Sequence, residues 1–211
     1  MIAAFLGFRL YNVLGKHGQE ADPFTPRAEE KPRTTPVALP QPAPEIDAPL
    51  GNGRAAELVY EPAAEIGMRA ILAADRSFDI GRFLNGAKGA YRLILEAFWS
   101  GDKAALLDLC DTDSHAAFAS AIDARTASGE TLENRLVVID NAVIVAAEVS
   151  AGVARIVVRF DSDIAAITRD AAGKIVAGSM SDATATQDVW SFVRPVGSSD
   201  PNWLLDETDA A

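Results

Sequence analysis

The chain is poor in cysteine and histidine, and it has no apolar run long enough to cross a bilayer. Its single cysteine, Cys110, cannot form an internal disulfide and cannot build a zinc site alone, as is typical of a reducing compartment. Only two histidines are present, and potential ligands do not fall at metal-site spacing, so we predict no metal and no other cofactor. A polytopic membrane protein is excluded because each spanning helix needs about 20 apolar residues.

Basic residues are also in deficit. The chain has 19 basic and 30 acidic residues, which gives a net charge of -11. This charge repels polyanions, so nucleic acid is not an expected partner. Hydrophobic residues nevertheless make up 49% of the 211 residues, as in globular proteins. This length predicts one folded domain with extensions, since domains commonly have about 100 to 200 residues.

Proline is concentrated in one part of the chain. Eight of the eleven prolines lie in residues 21–54, namely Pro23, Pro26, Pro32, Pro36, Pro40, Pro42, Pro44 and Pro49. Each proline fixes φ and removes a backbone donor, and few large apolar residues surround them. Residues 21–54 are therefore predicted to form an extended, solvated tether, and residues 55–211 to form the folded domain.

Residues 1–20 begin with an apolar run at positions 2–8, and no basic residue precedes it. The run is too short for a span and lacks the basic start of a secretory signal. Because apolar side chains continue after it, we predict a hydrophobic membrane-anchor segment at an interface, formed by Phe5, Leu6, Phe8, Arg9, Leu10, Leu14 and Lys16. The alternative is a mobile hydrophobic terminus. With cations only after the run, an inserted segment would leave the folded domain on the cytoplasmic side.

Helices are predicted in the first half of the folded domain. In residues 83–102, apolar residues from Phe83 to Phe98 recur at helical spacing, while Lys88, Arg92 and Glu96 share another face. Glycine and aspartate at positions 101 and 102 are suited to end this helix and to cap a short following one. An earlier helix is predicted to end near residue 75, and a fourth at residue 129.

After residue 131 the sequence changes to β-branched runs, at residues 136–140, 142–149, 154–170, 174–178, 188–195 and 202–207. Alternation of apolar and polar residues around Val158 indicates a half-buried strand. Residues 170–174 predict a hairpin turn in which Gly173 has a positive φ. The order predicts an α+β fold with N-terminal helices packed on a curved antiparallel sheet, which would enclose a cone-shaped cavity.

An active site in such a cavity would need a carboxylate paired with histidine or tyrosine and a displaced pKa. His115 follows Asp111 and Asp113 in what looks like a helix-start loop, so helix capping is favoured there over catalysis. Asp188 is the best carboxylate for a pocket. The favoured interpretation of Asp188 is nevertheless an acid at a strand edge, paired with Arg159 or Arg194.

The remaining candidates for a pocket or a partner surface are Tyr91, Phe98, Trp99 and Trp190, together with Asp188. Large aromatic side chains are more often core than ligand contacts. Trp99 directly follows Phe98 and lies about 100° round the helix from it, so we predict that Trp99 is at an edge or a partner surface. Cys110 is predicted to be buried rather than reactive.

Six segments in order and spacing resemble the C-terminal domain of the mitochondrial inner-membrane translocase subunit 44 family, and more closely its alphaproteobacterial, membrane-anchored members. They are residues 69–91, 97–102, 117–131, 158–178, 188–195 and 200–205. The sequence FRLYNVLGK at residues 8–16 is similar to the segment that follows the membrane anchor in bacterial members. The resemblance implies a cone-shaped, nuclear-transport-factor-two-like α+β fold.

The resemblance also implies a membrane-bound scaffold, which in mitochondria tethers a DnaK-type chaperone to the protein-import channel and contacts cardiolipin. The long N-terminal region that carries the chaperone contacts in mitochondria is replaced here by the short tether. We therefore expect a non-catalytic adaptor on the cytoplasmic side of a bacterial inner membrane, binding a protein segment or an anionic phospholipid such as cardiolipin. The alternative is a small-molecule-binding or lyase-like enzyme that uses the cone-shaped cavity.

Overall fold

A computed structural model describes residues 59–210 of the chain. The predicted anchor segment at residues 1–20 and the predicted tether at residues 21–54 lie outside the described residues. The described part consists of helices followed by a single sheet, which confirms the predicted α+β class.

Four α-helices follow a short 3₁₀ turn at Pro62–Ala64. They are α1 (Glu65–Ala74), α2 (Ile80–Ser100), α3 (Lys103–Leu107) and α4 (Thr112–Ser128). In residues 59–210, none of these helices combines the length and the hydropathy needed to cross a membrane. The helix ends fall where the sequence predicts them.

Side chains and glycines define these helix ends. Asp79, Asp102 and Asp111 precede α2, α3 and α4, and each accepts a hydrogen bond from the backbone N–H three residues further on. Each of these carboxylates satisfies one of the free N–H groups in the first turn. Gly101 and Gly129 end α2 and α4 with φ of 79° and 71°, a conformation that glycine adopts without strain.

Four antiparallel strands form one sheet in the order β1-β2-β3-β4. They are β1 (Thr131–Ser150), β2 (Val153–Arg169), β3 (Ile175–Pro195) and β4 (Leu204–Ala210). The predicted turn between β2 and β3 is confirmed, with φ of 78° at Gly173. The prediction of six separate runs is wrong, because β1 and β3 are each continuous. At the polar residues that separate the predicted runs, β1 and β3 continue with a register shift instead of ending.

The sheet is curved and its concave face packs on α2. Bulges bend a strand locally, and β1 has three register shifts against β2. Leu84, Tyr91, Ile94 and Phe98 of α2 are all buried, whereas Arg92 on the other side is exposed. On β2 the alternating residues Ile156, Val158 and Phe160 are fully buried beneath the helix. The predicted packing of the N-terminal helices on the sheet is confirmed for α2.

Two outer edges of the sheet are covered by short pieces of chain. Tyr60 forms an isolated parallel bridge with Ile144 of β1, and Cys110 forms one with Leu205 of β4. Helix α1 also lies directly on β1: a Cβ added at Gly67 would be 1.7 Å from the carbonyl oxygen of Ala147. Only glycine allows this approach, so residue 67 fixes how closely α1 packs on the sheet.

Candidate functional site

Three of the five predicted pocket residues meet on the concave face of the sheet. Tyr91 of α2 stacks on Phe160 of β2 with ring centroids 4.4 Å apart, and its ring centroid is 4.6 Å from that of Trp190 of β3. Asp188 is in register with Phe160, two residues before Trp190 on the same strand. Because side chains alternate along a strand, Asp188 and Trp190 project from the same face.

Hydrogen bonds join Tyr91 to three polar residues of the sheet. The Tyr91 hydroxyl donates to Oδ2 of Asp188 at 2.7 Å and lies 2.9 Å from Oγ of Ser162. Oγ of Ser162 is also 2.9 Å from Oγ1 of Thr186, which donates to the carbonyl oxygen of Ser162 at 3.0 Å. Since the Tyr91 and Thr186 protons are used in these bonds, the Ser162 hydroxyl is left to donate to one of its two neighbours.

The environment of Tyr91 fixes its protonation state. Burial of the phenol raises its pKa well above the ordinary value, and the negative charge of Asp188 raises it further. The phenol therefore keeps its proton at neutral pH and acts as a hydrogen-bond donor to the carboxylate. It is not a general base, since a base must be able to lose its proton near the working pH.

Trp190 adds a second donor to this region. The side chain is 1% exposed, and its indole nitrogen Nε1 has no hydrogen-bond partner among residues 59–210. A buried donor without a partner costs about 1 to 3 kcal/mol, so it needs an explanation wherever it occurs. The concave face thus holds a phenol, a half-buried carboxylate and an unsatisfied indole N–H within one cluster of aromatic rings.

The predicted arginine partners of Asp188 are wrong. Arg159 forms an ion pair with Glu61 at 2.6 Å, and Arg194 forms one with Asp75. Arg159 lies at an odd position of β2 and points to the face opposite Tyr91. Arg194 is six residues along β3 from Asp188, a separation of about 20 Å.

The other two predicted pocket residues, Phe98 and Trp99, lie at the far end of α2. The ring centroids of Phe98 and Phe118 of α4 are 5.3 Å apart, and the guanidinium of Arg125 covers the Phe98 ring at 5.2 Å. The prediction that Trp99 lies at an edge or a partner surface is wrong, because the long strand β1 covers it and leaves it 6% exposed. With the amide oxygen of Asn134 turned towards the indole, Trp99 Nε1 donates to it at 3.1 Å.

Outside this cluster, the predicted helix cap before His115 and the predicted burial of Cys110 are confirmed. Nε2 of His115 lies 3.1 Å from the carbonyl oxygen of Lys103, and Asp111 caps α4. Burial, with a smaller contribution from the negative charge of Asp111, raises the pKa of Cys110 to about 12, so this thiol is not a nucleophile at neutral pH. In residues 59–210 no three histidine, cysteine or acidic side chains are grouped as metal ligands would be.

Two residues of the candidate site, Ser162 and Thr186, were not predicted from the sequence. The sequence does contain a signal for Ser162, which lies between Phe160 and Ile164 on the face of β2 that the alternation predicts to be buried. A polar residue at such a position needs a hydrogen-bond partner. Thr186 gave no signal, because residues 179–187 were not predicted as a strand.

Comparisons with known proteins bear on the folded part of the chain. The family described as Tim44-like domain matches residues 64–210. No curated protein matches the chain. Among solved structures, the intermembrane space region of the chloroplast protein ARC6 is similar at 11% identity and a TM-score of 0.44, over 60% of this chain and 95% of that chain. The family match extends from the start of α1 to the last described residue of β4, so the chain belongs to the Tim44-like domain family.

Proposed function

We propose that this protein is a membrane-associated adaptor on the cytoplasmic face of a bacterial inner membrane. The family match over residues 64–210 is the observation that carries the proposal, because it covers nearly all of the described domain. The resemblance to the translocase subunit 44 family implies a non-catalytic scaffold. In this function the folded domain binds a protein segment or a lipid. Its candidate partners are a membrane protein, a DnaK-type chaperone and an anionic phospholipid such as cardiolipin.

The charge distribution supports attachment through the N-terminal segment. Arg9 and Lys16 are the only charged residues in positions 1–19, and each is attracted to an anionic membrane by about 1 kcal/mol. Residues 63–211 carry 13 basic and 22 acidic residues, a balance of -9, and are repelled within a Debye length of about 8 Å. Apolar side chains at residues 5–14 would add about 1.5 to 3 kcal/mol for each one fully buried.

The tether then separates a membrane-attached end from an acidic domain. An extended proline-rich segment has a rise of about 3.1 Å per residue, so roughly 30 residues hold the domain tens of ångströms from the lipid. At that distance the repulsion is screened, and the domain is free to meet a partner protein.

Binding to vesicles tests the proposal. The full-length chain should sediment with vesicles that contain cardiolipin at low salt, and deletion of residues 1–20 should leave it in the supernatant with unchanged circular dichroism. Arg9→Ala with Lys16→Ala is the control for charge, and should weaken binding at low salt while the apolar side chains remain. The proposed attachment is wrong if the chain that lacks residues 1–20 still sediments with vesicles, or if the full-length chain does not.

The hydrogen bond from Tyr91 to Asp188 favours a second candidate function, a small-molecule-binding or lyase-like enzyme. A carboxylate paired with tyrosine is the arrangement that an active site in this fold would need. The indole N–H of Trp190, which has no hydrogen-bond partner among residues 59–210, lies in the same cluster. Asp188→Asn should abolish cellular function under this candidate and leave it largely intact for an adaptor. His115→Asn is the matched control, because His115 lies outside the cluster.

A further inference from the structure

The side of α2 that faces away from the sheet is open to solvent along most of the helix. Arg82, Gly86, Gly89, Leu93 and Glu96 follow one another at spacings of four, three, four and three residues, which places them in one row along the helix. All five residues are exposed, and none belongs to the buried core of the described domain. We call these five residues the outer row.

The middle of the outer row is apolar and uncovered. Leu93 is 53% exposed. A Cβ built at Gly86 or at Gly89 would have no atom within 4 Å, so no described residue covers either glycine. A leucine that projects from a helix beside positions without side chains can insert into the matching space of a facing helix.

The two ends of the outer row carry opposite charges. Arg82 and Glu96 form no ion pair within residues 59–210. They are 14 positions apart, about 21 Å along the helix, so they cannot pair with each other. Arg82 also lies in the first turn of α2, where the helix dipole disfavours a cation. Stability of α2 alone therefore does not explain this residue.

The outer row is complementary to itself when a second copy of α2 lies antiparallel against it. With Gly89 of both copies on a two-fold axis, residues equally far before and after Gly89 face each other. Arg82 and Glu96 are both seven positions from Gly89, so each faces the opposite charge of the other copy. Leu93 then lies beside the open surface at Gly86 of the other copy. A two-fold interface requires this kind of self-complementary surface.

The charge of the whole chain opposes self-association less at α2 than elsewhere. Each chain has a net charge of -11, and residues 101–210 carry eight basic and 18 acidic residues. Helix α2 instead carries three basic residues and one acidic residue. Lys88 and Arg92 flank the outer row and would repel their copies, although salt screens exposed charges over about 8 Å.

Other partners match the outer row less completely. An anionic lipid surface or an acidic protein segment would be attracted to Arg82 but repelled by Glu96 at the other end of the row. A second copy pairs both ends and also covers Leu93. Charge complementarity therefore favours a second copy of this chain.

We propose that this protein forms a two-fold dimer through the outer row of α2. The contact is one helix wide, smaller than the roughly 800 Å² per partner of a standard interface, so we expect a reversible dimer with a Kd of about 10 to 100 μM. The inference goes beyond the proposed adaptor function and does not depend on it. If residues 1–20 attach the chain to a membrane, the dimer carries two such segments, and two linked attachments bind more tightly than one.

Charge reversal at the two ends of the row tests the dimer by sedimentation of the full-length protein without lipid. Arg82→Glu and Glu96→Arg each place like charges opposite each other at both ends, and each should weaken dimerisation by about tenfold or more. The two variants change the net charge in opposite directions, so general repulsion cannot explain a loss in both. The double variant restores opposite charges and should dimerise within about threefold of the parent.

A mixture of the two single variants tests the antiparallel pairing. The Arg82→Glu chain has acidic residues at both ends of the row, and the Glu96→Arg chain has basic residues at both ends. An equimolar mixture should therefore form a heterodimer about as tightly as the parent dimerises, although neither variant dimerises well alone. Absence of association in the mixture would overturn the proposed pairing. Circular dichroism should be the same for all variants, because both positions are exposed.

Two truncations of exposed apolar side chains test the middle of the row. Leu93→Ala should weaken dimerisation by about tenfold, because the leucine lies at the centre of the contact. Val176→Ala on β3 is the matched control, since Val176 is 50% exposed but lies outside the outer row. It should leave the Kd within about twofold. Equal effects of the two truncations would contradict the proposal.

Sedimentation without lipid and binding to vesicles separate this inference from the proposed function. A chain that dimerises but does not bind vesicles refutes the membrane attachment alone. A chain that binds vesicles but stays monomeric at concentrations up to about tenfold above the expected Kd refutes the dimer alone. A dimer that none of the outer-row variants weakens uses another surface, and the proposal is then wrong.

Discussion

At the scale of single residues, Tyr91 combines two opposite requirements in one side chain. Its ring is fully buried between Phe160 and Trp190, while its hydroxyl bonds to Asp188 and Ser162. The ring stabilises the core by burial, and the hydroxyl satisfies polar groups that would otherwise be unpaired. Tyr91 therefore contributes to the packing of α2 and to the position of Asp188.

Tyr91→Phe separates these contributions. The ring remains, but Asp188 and Ser162 lose a partner, so we expect the free energy of unfolding at pH 7 to fall by about 1 to 3 kcal/mol. The folded-state pKa of Tyr91 lies above the ordinary value of 10.0, so its stabilisation is complete below pH 10 and is lost as the pH rises above it. The difference between parent and variant should therefore shrink above pH 10.

Urea denaturation at pH 7, 9 and 11 measures this difference. Tyr60→Phe is the control, because Tyr60 is half-buried and its hydroxyl makes no hydrogen bond within residues 59–210. A difference between the parent and Tyr91→Phe that does not change with pH would contradict the raised pKa.

Single residues also mark the limit of what the sequence predicts. Periodicity identifies Tyr91 and Phe98 as buried, and Asp188 stands out as a carboxylate on a predicted strand. The sequence does not reveal that Tyr91 and Asp188 meet, because they are 97 positions apart and their contact depends on how β3 is aligned under α2. Trp99 was misplaced for a related reason, since the length of β1 decides whether it is covered.

At the scale of elements, a glycine of α1 and a glycine of α2 differ in the space around them. A Cβ at Gly67 of α1 would meet the Ala147 backbone at 1.7 Å, whereas nothing lies within 4 Å of a Cβ at Gly89 of α2. Glycine in a helix costs about 0.5 to 1 kcal/mol relative to alanine. At residue 67, close packing of α1 on β1 explains why glycine is present despite this cost. At residue 89, no contact among the described residues explains it.

Alanine at these two positions should therefore have opposite effects. Gly67→Ala should lower the free energy of unfolding by about 1 to 3 kcal/mol or more, since α1 must move away from β1. Gly89→Ala should raise it by about 0.5 to 1 kcal/mol. Urea midpoints of the two variants and the parent test this, and equal midpoints for Gly67→Ala and the parent would contradict the packing of α1 on β1.

Helix α2 supplies a second comparison on one element. Phe98 is 3% exposed and contacts Phe118 and Arg125, so Phe98→Ala should cost about 3 to 5 kcal/mol. Arg92 is exposed on the opposite face, and Arg92→Ala should change stability by less than about half a kcal/mol. Thermal unfolding of both variants is the measurement, and a similar loss in both would refute the assignment of faces.

The elements show which local signals in this sequence are reliable. Helix ends follow from Asp102, Gly101 and Gly129, because caps act through neighbouring residues only. Strand ends were predicted less well, because the register shifts in β1 and β3 arise from pairing with distant residues. The sequence therefore predicts the helices closely and the strands only as fragments.

At the scale of the whole molecule, the buried apolar residues among positions 59–210 form one continuous core. The cluster of buried apolar residues begins at Ala64 and ends at Leu205. From the predicted domain boundary, we expect an isolated chain of residues 55–211 to unfold at the same urea midpoint as the full-length protein. A midpoint that differs by more than the equivalent of about half a kcal/mol would mean that earlier residues contribute to stability.

The fold class and the family were predictable at this scale, and the function was less so. The order of helices and strands specifies α+β, and the segments from residue 69 to residue 205 indicate the family that the match confirms. What the domain binds depends on surfaces that distant residues form together, such as the cluster of Tyr91, Asp188 and Trp190, which no local pattern in the sequence identifies. A surface of this kind appears only when the pairing of all strands is known.

The bridge at Tyr60 also determines how the domain would respond to mechanical force. A pull on the chain at residue 58 is carried first by the two hydrogen bonds between Val59, Glu61 and Ile144, and by the ion pair of Glu61 with Arg159. Helix α1 and its close contact at Gly67 come next along the chain. Tension would therefore peel residues 59–61 from β1 before it loads the core, and the domain would lengthen by a few residues without unfolding.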